Sequence, residues 1–243
     1  MDINIESLER ATLDAVAPSA MDEVPDWLLP FDNSTVGRAI SAVPLIHGNQ
    51  ISTDIGMIED RYVARGLKAQ FRVAEISEFA ALHAALQSSG FRAQKPTLTM
   101  ISNALHWERE PKRWDVHLST EPTEEWRSVY LANEFDAVDG ANRVKALSRS
   151  KSLIYAWAVD ATGPVAAGTA SFSHGWASLH GLRTLARVRR KGLANALICA
   201  LGEQARKNNL HRFFLQVEEG NIGAVNLYRR LGFEVAWRYH YWR

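Results

Sequence analysis

Gly181-Leu-Arg-Thr-Leu-Ala-Arg-Val-Arg-Arg-Lys-Gly-Leu-Ala194 is the stretch whose reading decides the fold. Trp176 to Leu185 reads as a strand that breaks into a basic turn, Arg187 to Ala194. The run LANALICALGEQA, Leu193 to Ala205, contains no Pro and is rich in Leu and Ala, which predicts a mostly buried helix. Strand, tight turn and helix in that order set the unpaired N–H groups of a helix N-terminus at a strand end, where they can hold an anion. Gly192 permits a positive φ and close backbone approach. Arg187, Arg189, Arg190 and Lys191 add charge where a phosphate would sit. The same basic run also reads as a solvated helix start, since such runs alone are weak signals.

Working outward, His211 to Val217 reads as a short strand, Glu218 to Asn221 as a turn, and Ile222 to Leu231 as a second helix stopped by Gly232 before a final strand, Glu234 to Arg243. In that strand alternation places Val235, Trp237, Tyr239 and Tyr241 on one face. The series Arg189-x-x-Gly192-x-Ala194, then Asn221-x-x-Ala224-x-x-Leu227-Tyr228-x-x-Leu231-Gly232-Phe233, resembles the GNAT superfamily of N-acetyltransferases, in spacing as well as letters, over roughly residues 150–243.

The resemblance implies an α/β (α+β) fold with a mostly antiparallel central sheet flanked by helices, and acetyl-CoA as co-substrate. It implies that Arg189, Arg190, Lys191, Gly192, Leu193, Ala194 and Asn195 wrap the pyrophosphate, mainly through backbone N–H groups. Leu182, Arg183 and Thr184 would pair with the pantetheine arm, and Asn221 would bond to the same arm. Tyr228 would protonate the leaving thiolate; a phenol of pKa about 10 is a protonated donor at neutral pH, and a positioned acid contributes roughly 10²–10⁴ in rate. Ala186 stands where the family often has Pro, and Ala194 where it commonly has Gly. Gln216 stands where ribosomal-protein alanine N-acetyltransferases carry a Glu, and an amide cannot take a proton from an ammonium. His180, Glu218, Glu219 and water are the remaining candidate bases.

With 243 residues, 47% of them hydrophobic, the chain can bury a sizeable core. A net charge of +1 gives no long-range attraction to nucleic acid or membrane, so neither is expected as a partner. Cys199, the single cysteine, sits in an apolar run and reads as a buried inert thiol. The eight His lack paired spacing, so no metal is expected. The N-terminus lacks the basic and apolar regions of a signal peptide, which suggests a cytoplasmic protein.

Upstream, Ile3–Val16 shows a helical pattern, residues 17–26 read as a loop, and Trp27–Phe31 and Val36–Leu45 as two strands. Asp54–Arg65 reads as a helix, 69–73 as a strand, Glu78–Ser88 as a helix and Thr97–Ser102 as a strand. Phe71-Arg-Val-Ala-Glu75, a helix, then Gly90-Phe91 parallels Leu215-Gln-Val-Glu-Glu219, a helix, then Gly232-Phe233. Residues 1–110 are therefore expected to be a degenerate GNAT-like or accessory unit in tandem with a catalytic unit, 114–243. In the degenerate copy Leu86 replaces Tyr228 and Phe79 replaces Asn221; an unrelated α/β extension would give a similar pattern. Leu105–Arg113 reads as the linker. Glu124–Phe135 and Asp136–Ser148 read as helices, and Trp126, Tyr130, Tyr155 and Trp157 as core or pocket aromatics. The expected activity is acetyl transfer to a small-molecule or peptide amine. The alternatives are a CoA-binding regulatory protein without turnover and a nucleic-acid binder using the basic run. The acceptor, the acyl chain length and the oligomeric state, with a homodimer admitted, stay open.

Overall fold

The computed structural model describes residues 3–103 and 114–243. In chain order the elements are α1 (Ile5–Ala15), β1 (Ala20–Val24), β2 (Trp27–Phe31), α2 (Gly37–Ile40), β3 (Val43–Pro44), α3 (Ile55–Val63), β4 (Phe71–Ala74), α4 (Ala80–Ser88) and β5 (Ala93–Ser102). They continue with β6 (Val116–Ser119), α5 (Glu124–Tyr130), α6 (Ala137–Ser148), β7 (Leu153–Asp160), β8 (Gly163–Ser173), β9 (Trp176–Thr184), α7 (Leu193–Lys207), β10 (Phe213–Glu218), α8 (Ile222–Arg230) and β11 (Glu234–Trp242). Polar side chains accept the first free amides at several helix starts: Asn4 caps α1, Asp54 caps α3, Thr123 caps α5 and Asp136 caps α6. No described helix is long and apolar enough to cross a membrane.

Eight strands form one sheet in the order β4-β11-β5-β10-β9-β8-β7-β6, and β1-β2-β3 form a second, small sheet. Every pairing in the large sheet is antiparallel except β9 with β10. Strand alternation divides the core. Trp176, Phe214, Trp237 and Tyr239 pack with α1, α3 and the small sheet, while Ala177, Leu179, Phe213 and Leu215 pack against Leu197, Ile198 and Leu201 of α7. A buried ion pair, Arg72 to Glu9 at 2.5 Å, ties α1 to β4.

The two halves of the chain share this sheet. β5 lies between β10 and β11, and β11 lies between β4 and β5. The parallel seen in the sequence is visible in the backbone. In one unit β4 leads to α4, whose N-cap is Phe79, and Gly90 at φ 87 returns the chain so that the Phe91 N–H donates to Leu86 O. In the other β10 leads to α8, whose N-cap is Asn221, and Gly232 at φ 83 lets the Phe233 N–H donate to Tyr228 O. Phe79 thus stands at the position of Asn221, and Leu86 at that of Tyr228. Each unit's second strand, β5 or β11, pairs with the first strand of the other unit.

Three local expectations need correction. Residues 20–24, read as loop, form β1, an edge strand whose residues are mostly solvent-facing and so carry no apolar alternation. Val36–Leu45, read as one strand, is the single turn α2 followed by the two-residue β3. In β11 a register shift between Val235 and Trp237 turns Val235 out to 44% exposure, leaving Trp237, Tyr239 and Tyr241 on the buried face. The linker expected at Leu105–Arg113 falls on 104–113, outside the described residues.

Candidate active site

β9 and β10 run parallel only from Ala177 with Phe213 to Leu179 with Leu215. Beyond that point β9 continues to Thr184 and β10 to Glu218 without pairing to each other, so a wedge opens between them and backbone groups on the facing edges border a gap. β9 is also bulged there. Ala167 pairs with Arg183 and Thr169 with His180, so Gly168 faces both Gly181 and Leu182. Gly181 sits at φ 64, and a Cβ on it would come within 2.7 Å of the Tyr130 hydroxyl, which donates to Gly181 O at 2.7 Å. The residue is therefore glycine for space and for conformation alike. The bulge is the site feature that the sequence reading missed, and a glycine inside a strand was its signal.

Two clefts open from the wedge. The larger, about 820 Å³, is lined by Leu182, Arg183 and Thr184, by Arg189, Arg190 and Gly192 to Asn195, and by Asn221 and Tyr228. At its floor α7 starts at Gly192 (φ 85) with no side chain capping it, so its leading N–H groups point at the cleft without a partner from the helix. Arg190, at φ 61, holds a left-handed conformation unusual for a residue with a side chain, and turns so shaped can gather successive amides into a concavity suited to an anion.

Of the four cations predicted for the turn, two line this cleft. Arg189 donates to Thr184 O at 3.2 Å and lies 3.7 Å from Glu134, whose carboxylate accepts the Ala186 N–H at 2.8 Å. Arg190 lines the cleft without an ion pair among the described residues. Arg187 instead bridges to Asp160 at 2.5 Å, pinning the β7–β8 turn and holding that carboxyl far below the usual range. Lys191 is not part of the lining, and its carbonyl accepts the Trp114 indole N–H at 2.9 Å. Arg183 is held under Asp139 (3.0 Å) and over the Phe135 ring (4.3 Å). The Asn221 side-chain oxygen caps α8 by accepting the Ala224 N–H at 3.2 Å.

The second cleft, about 370 Å³, shares Leu182, Arg183, Asn221 and Tyr228 with the first. Tyr228 therefore stands where the two meet. Its ring packs on Phe233 at 6.1 Å and burial pushes its phenol up to about 12, so the group is a protonated donor at neutral pH. His180, expected among the candidate bases, is only 3% exposed and neither ring nitrogen has a partner among the described residues. Burial, aided by the positive charge of Arg38, drives it well below 6.5, so it is a neutral imidazole and a poor acceptor for an ammonium proton. Glu219 is paired with Arg238 at 3.0 Å. Glu218 lines the second cleft, is exposed, and is in no ion pair among the described residues. Trp126, Tyr130 and Tyr155 line neither cleft and pack on one another at 4.7 and 4.9 Å as core.

This architecture is that of the GNAT N-acetyltransferases. The chain superposes on a GCN5-related N-acetyltransferase from Kribbella flavida with a TM-score of 0.73, at 16% identity, covering 98% of this chain and 94% of that one. It superposes on a tandem GNAT protein from the clavulanic acid biosynthesis pathway with a TM-score of 0.63, at 15% identity and with coverages of 98% and 94%. More narrowly, residues 3–242 match the family described as Probable histone acetyltransferase Rv0428c C-terminal, and the chain belongs to that family. It is also 37% identical over 76 residues to Uncharacterized N-acetyltransferase YobR of Bacillus subtilis (strain 168), a match that covers 31% of each protein.

Proposed function

We propose that this GNAT-type acetyltransferase moves an acetyl group from acetyl-CoA to a primary amine, with residues 114–243 as the catalytic unit and residues 1–110 as a degenerate, supporting one. The observation that carries the reading is the uncapped start of α7 beside the unpaired ends of β9 and β10, with Tyr228 at the junction of two clefts. The amides of Leu193, Ala194 and Asn195, with Arg189 and Arg190, would take the pyrophosphate. The free edge of Leu182–Thr184 would take the pantetheine arm as an added strand, and Asn221 would bond to the same arm. The amine nitrogen attacks the thioester carbon, and the oxyanion rests on a main-chain N–H of the Gly181–Leu182 bulge. The C–S bond then breaks and the thiolate takes the Tyr228 proton, while the amine proton leaves through Glu218 or water. His180, buried beside the cleft, stays neutral and takes no proton. The setting is a cytoplasmic one, with the chain acting alone or as a homodimer.

Gly192→Val tests the cradle. A β-branched residue is strained at φ 85 and would fill the anion site, so CoA binding by calorimetry disappears while the thermal melt persists. Undiminished binding refutes the assignment. Gln216, an amide where a base would serve, favours a second reading: a CoA-binding regulatory protein without turnover. Thiol release over an amine panel separates the two.

A further inference from the structure

We infer that the acceptor amine carries an anionic group, and that Arg38 of α2 receives it in the smaller cleft; the inference rests on the acetyl-transfer reading above. The lining of that cleft is strongly cationic. Arg38, Lys95, Arg143, Arg183 and Arg243 face it against one lining carboxylate, Glu218. Behind the wall Arg143 and Arg183 share a single partner, Asp139, at 2.7 and 3.0 Å, so one negative charge serves two guanidinium groups. Arg38 has no ion pair among the described residues.

Unmet hydrogen-bonding capacity in the same wall points to a polar occupant. The Arg38 Nε is buried without a partner, as are the Arg243 Nε, both side-chain atoms of the Gln216 amide and both ring nitrogens of His180. Buried donors and acceptors of this kind cost free energy unless something satisfies them, and all four residues line the one cleft. Beside Arg38, a Cβ on Gly37 would fall 2.7 Å from the Tyr241 ring, so the absence of a side chain there lets α2 approach β11 closely.

Size and charge together define the acceptor class. A cleft of about 370 Å³ suits a small molecule. Its excess of positive charge opposes polyamines, aminoglycosides and lysine-rich peptides, and favours an amine bearing a carboxylate or a phosphate. A guanidinium can grip either anion with two parallel N–H donors.

The test uses the full chain and thiol release from acetyl-CoA. The carboxylate arm compares amino acids with their methyl esters. The phosphate arm compares O-phosphoethanolamine with ethanolamine, and spermidine and a lysine-rich peptide supply the cationic comparison. Anionic amines are expected to be acetylated with kcat/KM at least about tenfold above their uncharged counterparts, the loss expected for removing a charged hydrogen-bond partner. An ester's amine is the less basic and so the more fully deprotonated, which makes preference for the acid run against intrinsic reactivity. Arg38→Met should raise KM for the preferred acceptor about 10–100-fold and leave CoA affinity, read by calorimetry, unchanged. The acceptor panel needs no variant, so it decides even if Arg38→Met fails to fold. Equal or better turnover of esters, ethanolamine or spermidine overturns the inference and leaves acetyl transfer standing. So does a CoA-binding protein that turns over no anionic amine. Absence of CoA binding overturns both.

Discussion

The two β–α–β units, β4-α4-β5 and β10-α8-β11, share a backbone plan and differ at two matched positions. At the helix start the first has Phe79, fully buried and offering no cap, and the second has Asn221, polar and facing both clefts. Two turns on, the first has Leu86, fully buried, and the second Tyr228, whose phenol reaches the junction. One copy turns these two positions into the core, and the other turns them toward the clefts. A fold that repeats a unit can thus keep the packing role in one copy while the other exposes polar side chains to a cleft.

Matched substitutions should separate the two roles. Tyr228→Phe is expected to lower turnover about 10²–10⁴-fold with acetyl-CoA affinity nearly intact, read by steady-state kinetics beside calorimetry. An unchanged kcat would remove the phenol from the mechanism and erase the difference between the copies. Its counterpart, Leu86→Ala, should cost about 2–5 kcal/mol of stability in urea titrations and leave kcat of the folded protein unaltered. Next in size, Phe79→Ala should cost about 3–5 kcal/mol without touching CoA affinity. Asn221→Ala should cost only about 1 kcal/mol through the lost cap, yet weaken CoA binding.

A pH-dependent effect in the first unit concerns His47, which packs edge-on against Phe79 at 5.5 Å and Trp237 at 4.9 Å. Burial lowers it from 6.5 to about 4. Between those values the unfolded chain binds a proton that the folded chain refuses, so folding stability falls as pH drops through that window. His47→Phe should flatten this slope in urea midpoints measured at pH 7 and pH 4.5. Some slope should remain, because burial also lowers His180, so a slope undiminished by the substitution is the result that would assign the pH dependence elsewhere.

Legibility followed the same division. The gathering of Arg189, Arg190 and Gly192 to Asn195 around one cleft was readable because these residues are nearly contiguous and because Gly192 marks a backbone conformation that few residues adopt. Tyr228 and Asn221 were readable because one helix fixes their spacing. The cationic lining of the smaller cleft was not, since Arg38, Lys95, Arg143 and Arg243 come from four separate segments that the fold brings together. Val36–Leu45 misled because β-branched residues in a short apolar run suggest a strand, whereas the chain makes one helical turn there, with Gly37 close to the Tyr241 ring. β1 escaped notice because an edge strand with a wet face shows no periodicity.

The placement of β11 between β4 and β5 bears on how the molecule is made. A ribosome releases residues 71–102 long before residue 234, so two nascent strands wait for the one that joins them, and pairing across so wide a sequence gap favours slow closure. Neither piece of a chain severed within 104–113 would own a complete sheet, because each holds strands whose partners are in the other. The fragments should accordingly fold poorly apart and reassemble when mixed, a natural split-protein pair.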